Sequence, residues 1–167
     1  MIPQDFIGKN IPDAIINERF LTKSNILFVM RDEKSGKIKN IWLQPNTFTQ
    51  WGDSLVADAM SDRGETLPTH MAVGTGTGGK TTASTALEAE VGRVALTSTT
   101  KGTGSDDNDV IYIATFPAGT GTGALVEAGL FNDATVGDMM SYSDYSVKTK
   151  GAGDAMTVTW TASFGAS

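Results

Sequence analysis

The chain contains no cysteine. That excludes a disulfide framework, a thiolate metal centre and a cysteine nucleophile, and it suits folding in a reducing compartment. Histidine is limited to His70, so neither a zinc site nor a spaced Ser–His–Asp arrangement is suggested; His70 is expected as a surface or edge-strand residue. Three tryptophans and three tyrosines are scattered over 167 residues, too thinly to line a sugar cleft. Positive charge is also short: 13 Lys and Arg face 19 Asp and Glu, giving a net charge of −6 and a pI of about 4.6. An acidic surface without a basic cluster repels phosphate backbones, which argues against a nucleic-acid partner. Apolar runs such as Ile26-Leu27-Phe28-Val29-Met30 fall far below the about 20 residues of a membrane span. Met1-Ile2-Pro3-Gln4-Asp5 lacks the basic start and apolar stretch of a cleaved signal. A soluble chain with no membrane partner is expected.

What is present reads as one domain, which the length suits. Residues 1–22 are an exception. Ile2, Phe6, Ile7, Ile11, Ile15 and Ile16 are dispersed among Pro3, Gly8 and Pro12, with neither caps nor alternation. This extended N-terminal arm either crosses the body of the domain or docks on a neighbour. Ile2, Phe6, Ile7, Ile11 and Ile15 are the candidate partner-binding residues.

Residues 23–167 are expected to form a single antiparallel β-sandwich, jelly-roll or Ig-like, with one α-helix near 48–60. Runs 26–31 and 37–43 flank Asp32-Glu33-Lys34-Ser35-Gly36 as a hairpin whose glycine suits a positive φ. Thr47 with Gln50 matches a capping box, and Phe48, Trp51, Leu55, Val56 and Ala59 share a helical stripe that ends before Gly64. Strands are expected over 69–73, 91–97, 110–116, 125–131, 142–148 and 156–164. In the last, Met156, Val158, Trp160, Ala162 and Phe164 alternate with Thr157, Thr159, Thr161 and Ser163, the pattern of a half-buried antiparallel strand. Ile111 and Ile113 make 110–116 apolar on both faces, as in a central strand.

Gly74-Thr75-Gly76-Thr77-Gly78-Gly79-Lys80-Thr81 fits the phosphate-cradling pattern G-x-x-x-x-G-K-[ST]. A genuine nucleotide site needs a parallel sheet with crossover helices and a strand ending in a magnesium-binding Asp. Neither is legible, so a flexible loop is the preferred reading. Ser105-Asp106-Asp107-Asn108-Asp109 offers oxygens for a cation but lacks the Gly and Glu spacing of an EF-hand, and reads as a solvated acidic turn. Glu88, Glu90 and Glu127 could supply a glycosidase acid–base pair. Without a ring-lined cleft, a structural salt bridge is preferred, between Glu90 and Arg93 or with Glu127 across the sheet.

Four segments, Ala72 to Thr77, Thr85 to Arg93, Val126 to Asn132 and Thr157 to Phe164, run GTGT, TAL..E..R, EAGLFN and T.TW...F in order. This order resembles a pattern in small virion proteins of tailed bacteriophages, over roughly residues 50–164. The resemblance implies a β-sandwich virion component assembled in the host cytoplasm, without enzymatic activity, cofactor or small-molecule substrate. It implies either a capsid decoration (cement) protein, or a neck, collar or tail-fibre module with a binding role. The short acidic chain and its apolar arm favour the capsid reading, as a homotrimer contacting itself and the major capsid protein or other virion proteins. A P-loop nucleotide hydrolase is the remote alternative.

Overall fold

The period-two stretches become two antiparallel sheets of five strands each in the computed structural model, which describes residues 25–164. In chain order the elements are β1 (Asn25–Asp32), β2 (Ile38–Pro45), β3 (Thr47–Phe48), α1 (Gln50–Met60), β4 (His70–Gly74), β5 (Glu90–Ala95), β6 (Ser98–Lys101), β7 (Asp109–Phe116), β8 (Gly123–Phe131), β9 (Met139–Lys150) and β10 (Asp154–Ser163). The first sheet runs β2-β1-β10-β7-β6 and the second β3-β9-β8-β4-β5. The expected mainly β, two-layer antiparallel body with a single helix is therefore present among the described residues. The arm at residues 1–22, with Ile2, Phe6, Ile7, Ile11 and Ile15, lies outside them.

Alternation sets the layers. In the first sheet Trp42, Phe28, Val158 and Ala114 lie side by side across four strands and all are buried. Because side chains on a strand point alternately to opposite faces, Ile26, Met30, Met156 and Trp160 join them on the inner face. They meet Met71, Val73, Leu125, Ala128 and Leu130 of the second sheet in one core. Phe28 and Trp42 stack with ring centroids 4.6 Å apart, and Tyr145 leans on Phe28 from the facing sheet at 5.2 Å. Such ring pairs add to the area they bury and fix how the two layers sit.

Four expectations need correction. The helix is capped by Thr49, not Thr47: its hydroxyl accepts from the Gly52 amide at 3.0 Å. Thr47 and Phe48 are pulled out of the helix because they pair with Tyr142 and Ser141 of β9. The stripe also fades, since Leu55 is buried while Ala59 and Met60 are exposed. The single strand expected over 91–97 is two elements, because the chain leaves the second sheet after Ala95 and enters the first at Ser98. Finally, His70 sits in β4, which is flanked by β8 and β5, so it is not on an edge strand. β7 has neighbours on both sides, as its two apolar faces require.

Candidate functional site: a buried carboxylate beneath the glycine-rich loop

β8 reads Leu125-Val126-Glu127-Ala128-Gly129-Leu130-Phe131, and every one of these residues is buried. A carboxylate in such a run must be paired, because burying it alone is costly. Glu127 is fully buried and holds four donors. Its Oε1 accepts from the amides of Gly76 and Ala89, each at 2.9 Å, and its Oε2 from the Glu88 amide at 3.0 Å. The fourth is the Lys80 ammonium, 2.7 Å from Oε2, on a side chain only 4% exposed. The Tyr145 hydroxyl donates to the backbone carbonyl of the same glutamate at 3.2 Å.

The loop between β4 and β5 is thus wound around a single side chain. Burial opposes ionisation of Glu127, but the Lys80 ammonium and the amides of Ala89, Glu88 and Gly76 outweigh it and hold the carboxyl below its ordinary value. A second carboxylate, Glu88, accepts from the Gly78 amide, and Asp144 of β9 accepts from the Lys80 amide at 2.8 Å. Gly76 lies so close to the Glu127 and Glu88 carboxylates that a Cβ there would collide with both; only glycine lets the backbone approach.

This geometry disposes of the nucleotide reading and also corrects the flexible-loop reading. The amides and lysine that would cradle phosphate in a P-loop are bonded to the chain's own carboxylates. No helix follows the loop: residues 75–89 contain none. Lys80, to which the sequence assigned no role, is the buried counter-charge of Glu127. The signal that could have found it was the lone glutamate in an otherwise apolar strand, which demands a cation or several amides nearby.

Of the three residues singled out as a salt bridge, Glu90 and Arg93 meet and Glu127 pairs elsewhere. Arg93 Nε and Nη2 donate to the two Glu90 carboxylate oxygens at 3.0 and 2.7 Å. Its Nη1 reaches the Asp133 and Val136 carbonyls at 2.9 and 2.7 Å, and its guanidinium lies 3.9 Å from the centre of the Phe131 ring. Arg93 thereby ties β5 to the loop between β8 and β9, using the planar fork that lysine lacks. The glycosidase pair has no support in this arrangement, because Glu127 and Glu90 are each committed to a cation. His70 Nδ1 lies 2.8 Å from the Thr69 hydroxyl. The acidic stretch at 105–109 begins in a short 3-10 turn, Gly104–Asp106. Among the described residues no group of three or more His, Asp or Glu side chains is placed to hold a metal, and no helix is long and apolar enough to cross a membrane.

Elsewhere on the described surface is an open apolar cleft of about 360 Å³, lined by Leu55, Val56, Met60, Leu67, Val110 and Phe164 among others. It lies where α1 leans over the end of the core, with Met60 and Leu67 largely exposed. Apart from Thr99 and Tyr112, its lining residues are apolar.

Three of the four motifs that run along the sequence converge in space, while the fourth, from Thr157, lies on β10 of the other sheet. The GTGT loop and the TALEAE segment both donate to the glutamate of EAGLFN, and Gly129 of that segment leaves room for Leu87 against Phe131 and Met139. Residues 45–163 match the family described as phage tail-collar fibre protein, N-terminal. No curated protein and no solved structure matches the chain.

Proposed function

The chain belongs to the phage tail-collar fibre protein family, and from that premise we propose that it is a structural component of the virion tail, acting through protein–protein contact without turnover. The family match over residues 45–163 carries the proposal. It favours the collar or tail-fibre reading over the capsid decoration protein expected first, and leaves the homotrimer and major-capsid contacts without support of their own. The site supports the same direction. Its one buried carboxylate is locked by four donors, so it has neither a free lone pair for a substrate proton nor access for water, both of which acid–base catalysis needs. Glu127 and Lys80 shape a docking body; they do not catalyse.

Gold-labelled antibody against the chain, applied to intact particles, tests the proposal. Label is expected at the tail or its collar, in far fewer copies than the major head protein. Label spread over the head shell, at a copy number approaching that of the shell protein, would restore the decoration reading and overturn this one.

A further inference from the structure

The first sheet ends on β6, a short strand that pairs, among the described residues, with β7 alone. Along an antiparallel ladder successive residues turn their N–H and C=O groups to opposite sides. The Gly102 amide donates to the Asp109 carbonyl at 2.9 Å, and the register continues with Lys101 opposite Val110 and Thr100 opposite Ile111. Thr100 therefore bonds inward to β7, while Thr99 and Lys101 turn their amides to the open side. Thr99, Thr100 and Lys101 are all exposed, and unpaired groups of this kind are a template for another strand. Beside that edge lies the apolar cleft, which Thr99 lines together with Met60, Leu67, Val110 and Tyr112. Met60 and Leu67 are 86% and 59% exposed. Tyr112 is 6% exposed, yet its hydroxyl has no hydrogen-bond partner among the described residues; those of Tyr142 and Tyr145 donate to backbone carbonyls.

We propose that this edge and cleft receive an extended segment of another virion protein, apolar at alternate positions and basic at its ends, which adds to the first sheet beside β6. Strand addition draws affinity from main-chain hydrogen bonds and specificity from pockets for every second side chain, and both are offered here side by side. The Tyr112 hydroxyl then meets a polar group of the incoming segment. Charge selects the flanks. Asp62 and Glu65 are exposed on the stretch that joins Met60 to Leu67, and Asp106 and Asp107 are exposed in the turn after β6. That turn closes on the strand end, where the Asp106 carbonyl leaves no room for a Cβ at Gly102. Against these four carboxylates stand Lys101 and Arg63, and Arg63 is drawn to Asp58 at 3.8 Å. A second copy of the chain is the poorer occupant, because it would set the same carboxylates against one another, and like charges brought together are costly. The surface rests on the reading of the chain as a docking body of the virion, not on its place in the particle.

The probe is a short peptide alternating leucine and threonine between terminal lysines, titrated into the unmodified full chain while backbone amide resonances are followed. Shifts are expected at Thr99, Lys101 and Leu67. Thr99→Pro removes an outward N–H and leaves the inward ladder in place; it should weaken binding about tenfold, as should Leu67→Lys at its exposed position. Tyr112→Phe should weaken it about two- to tenfold, the worth of one hydrogen bond. A peptide with terminal glutamates in place of the lysines should bind more weakly than the first. No binding at millimolar peptide, shifts confined to other strands, equal binding of the glutamate-ended peptide, or a dimer of the chain formed through β6 would each overturn the assignment. If Thr99→Pro or Tyr112→Phe fails to fold, Leu67→Lys and the two peptides on the unmodified chain decide the matter. Antibody label at the tail without peptide binding would remove this surface and leave the tail reading standing; label on the head shell with peptide binding would do the reverse.

Discussion

The loop over Glu127 and the cleft beside α1 are two places where the sandwich is closed by something other than strand pairing, and they are closed by opposite means. The loop is almost devoid of apolar side chains, yet it is held by three backbone amides and an ammonium converging on one carboxylate. The cleft is lined by Leu55, Val56, Met60, Leu67 and Phe164, and there the polar anchoring stops at Thr49, where α1 begins. The difference shows how a glycine- and threonine-rich segment, which buries little hydrocarbon beyond Leu87, is fixed to the fold. Directional bonds to a desolvated charge replace packing.

Removing the centre of the knot is the most severe way to break that contrast. Glu127→Ala leaves the Lys80 ammonium and three amides buried without an acceptor. The expected loss is about 3–5 kcal/mol, the range for breaking a buried pair from one side. Lys80→Met leaves Glu127 with its three amides and is expected to cost less, about 1.5–3 kcal/mol, the worth of one hydrogen bond to a charged group. Urea unfolding of both variants measures the difference. Equal losses would show that the ion pair, not the amide cradle, organises the loop.

The same contribution is titratable. Glu127 is held below its ordinary value of 4.5. Asp154, which faces Lys39 at 2.7 Å and accepts from the Gly151 amide at 2.9 Å, is likewise held low: burial opposes its ionisation and those partners outweigh it. Each carboxylate therefore binds fewer protons folded than unfolded. The stability each adds is fully present above its unfolded value and is lost as pH falls through the depressed folded value. Stability is expected to be level near neutrality and to decline below about pH 4.5. In Glu127→Gln the decline should be shallower, since only Asp154 and weaker sites remain to titrate. A variant with an unchanged slope would mean that Glu127 is not the group being protonated.

How much of this was legible follows from range. β10 was readable because its alternation is local: every second residue from Met156 is apolar, whatever lies beside it. β3 was not, because Thr47 and Phe48 take their conformation from β9, almost a hundred residues away, and a capping-box pattern at Thr47 was the stronger local signal. The break between β5 and β6 was missed for the same reason, since a chain that changes sheets can keep its extended pattern. Glu127 was noticed as a carboxylate, but its true partner was hidden within a motif that has a better-known use. Lys80 follows glycines in P-loops to reach phosphate; here it follows them to reach Glu127. The residue types were informative about anion binding, and silent on whose anion it would be.

Gly76→Ala probes the knot from the backbone side with every charge retained. The new methyl would collide with Glu127 and Glu88, and the loop would have to lift away from the carboxylate. Overpacking of this kind costs about 1–3 kcal/mol. Amide exchange at Gly76, Glu88 and Ala89 should rise together in this variant. Faster exchange at Gly76 alone would show three independent bonds in place of one cooperative unit.

At the cleft the smallest effect is the informative one. Met60 is 86% exposed at the end of α1, and Ser61 closes the helix behind it by bonding to the Ala57 carbonyl at 2.7 Å. Met60→Ser removes apolar surface already in water and touches no cap, so stability should stay within about 0.5 kcal/mol of the unmodified chain. Leu55, one turn earlier, is 3% exposed within the core, and Leu55→Ala should cost about 2–5 kcal/mol through lost burial and the cavity left behind. The helix is thus held at its first half and passive at its second. A loss at Met60 comparable to that at Leu55 would mean that the cleft is not open in the free protein, and that something covers it.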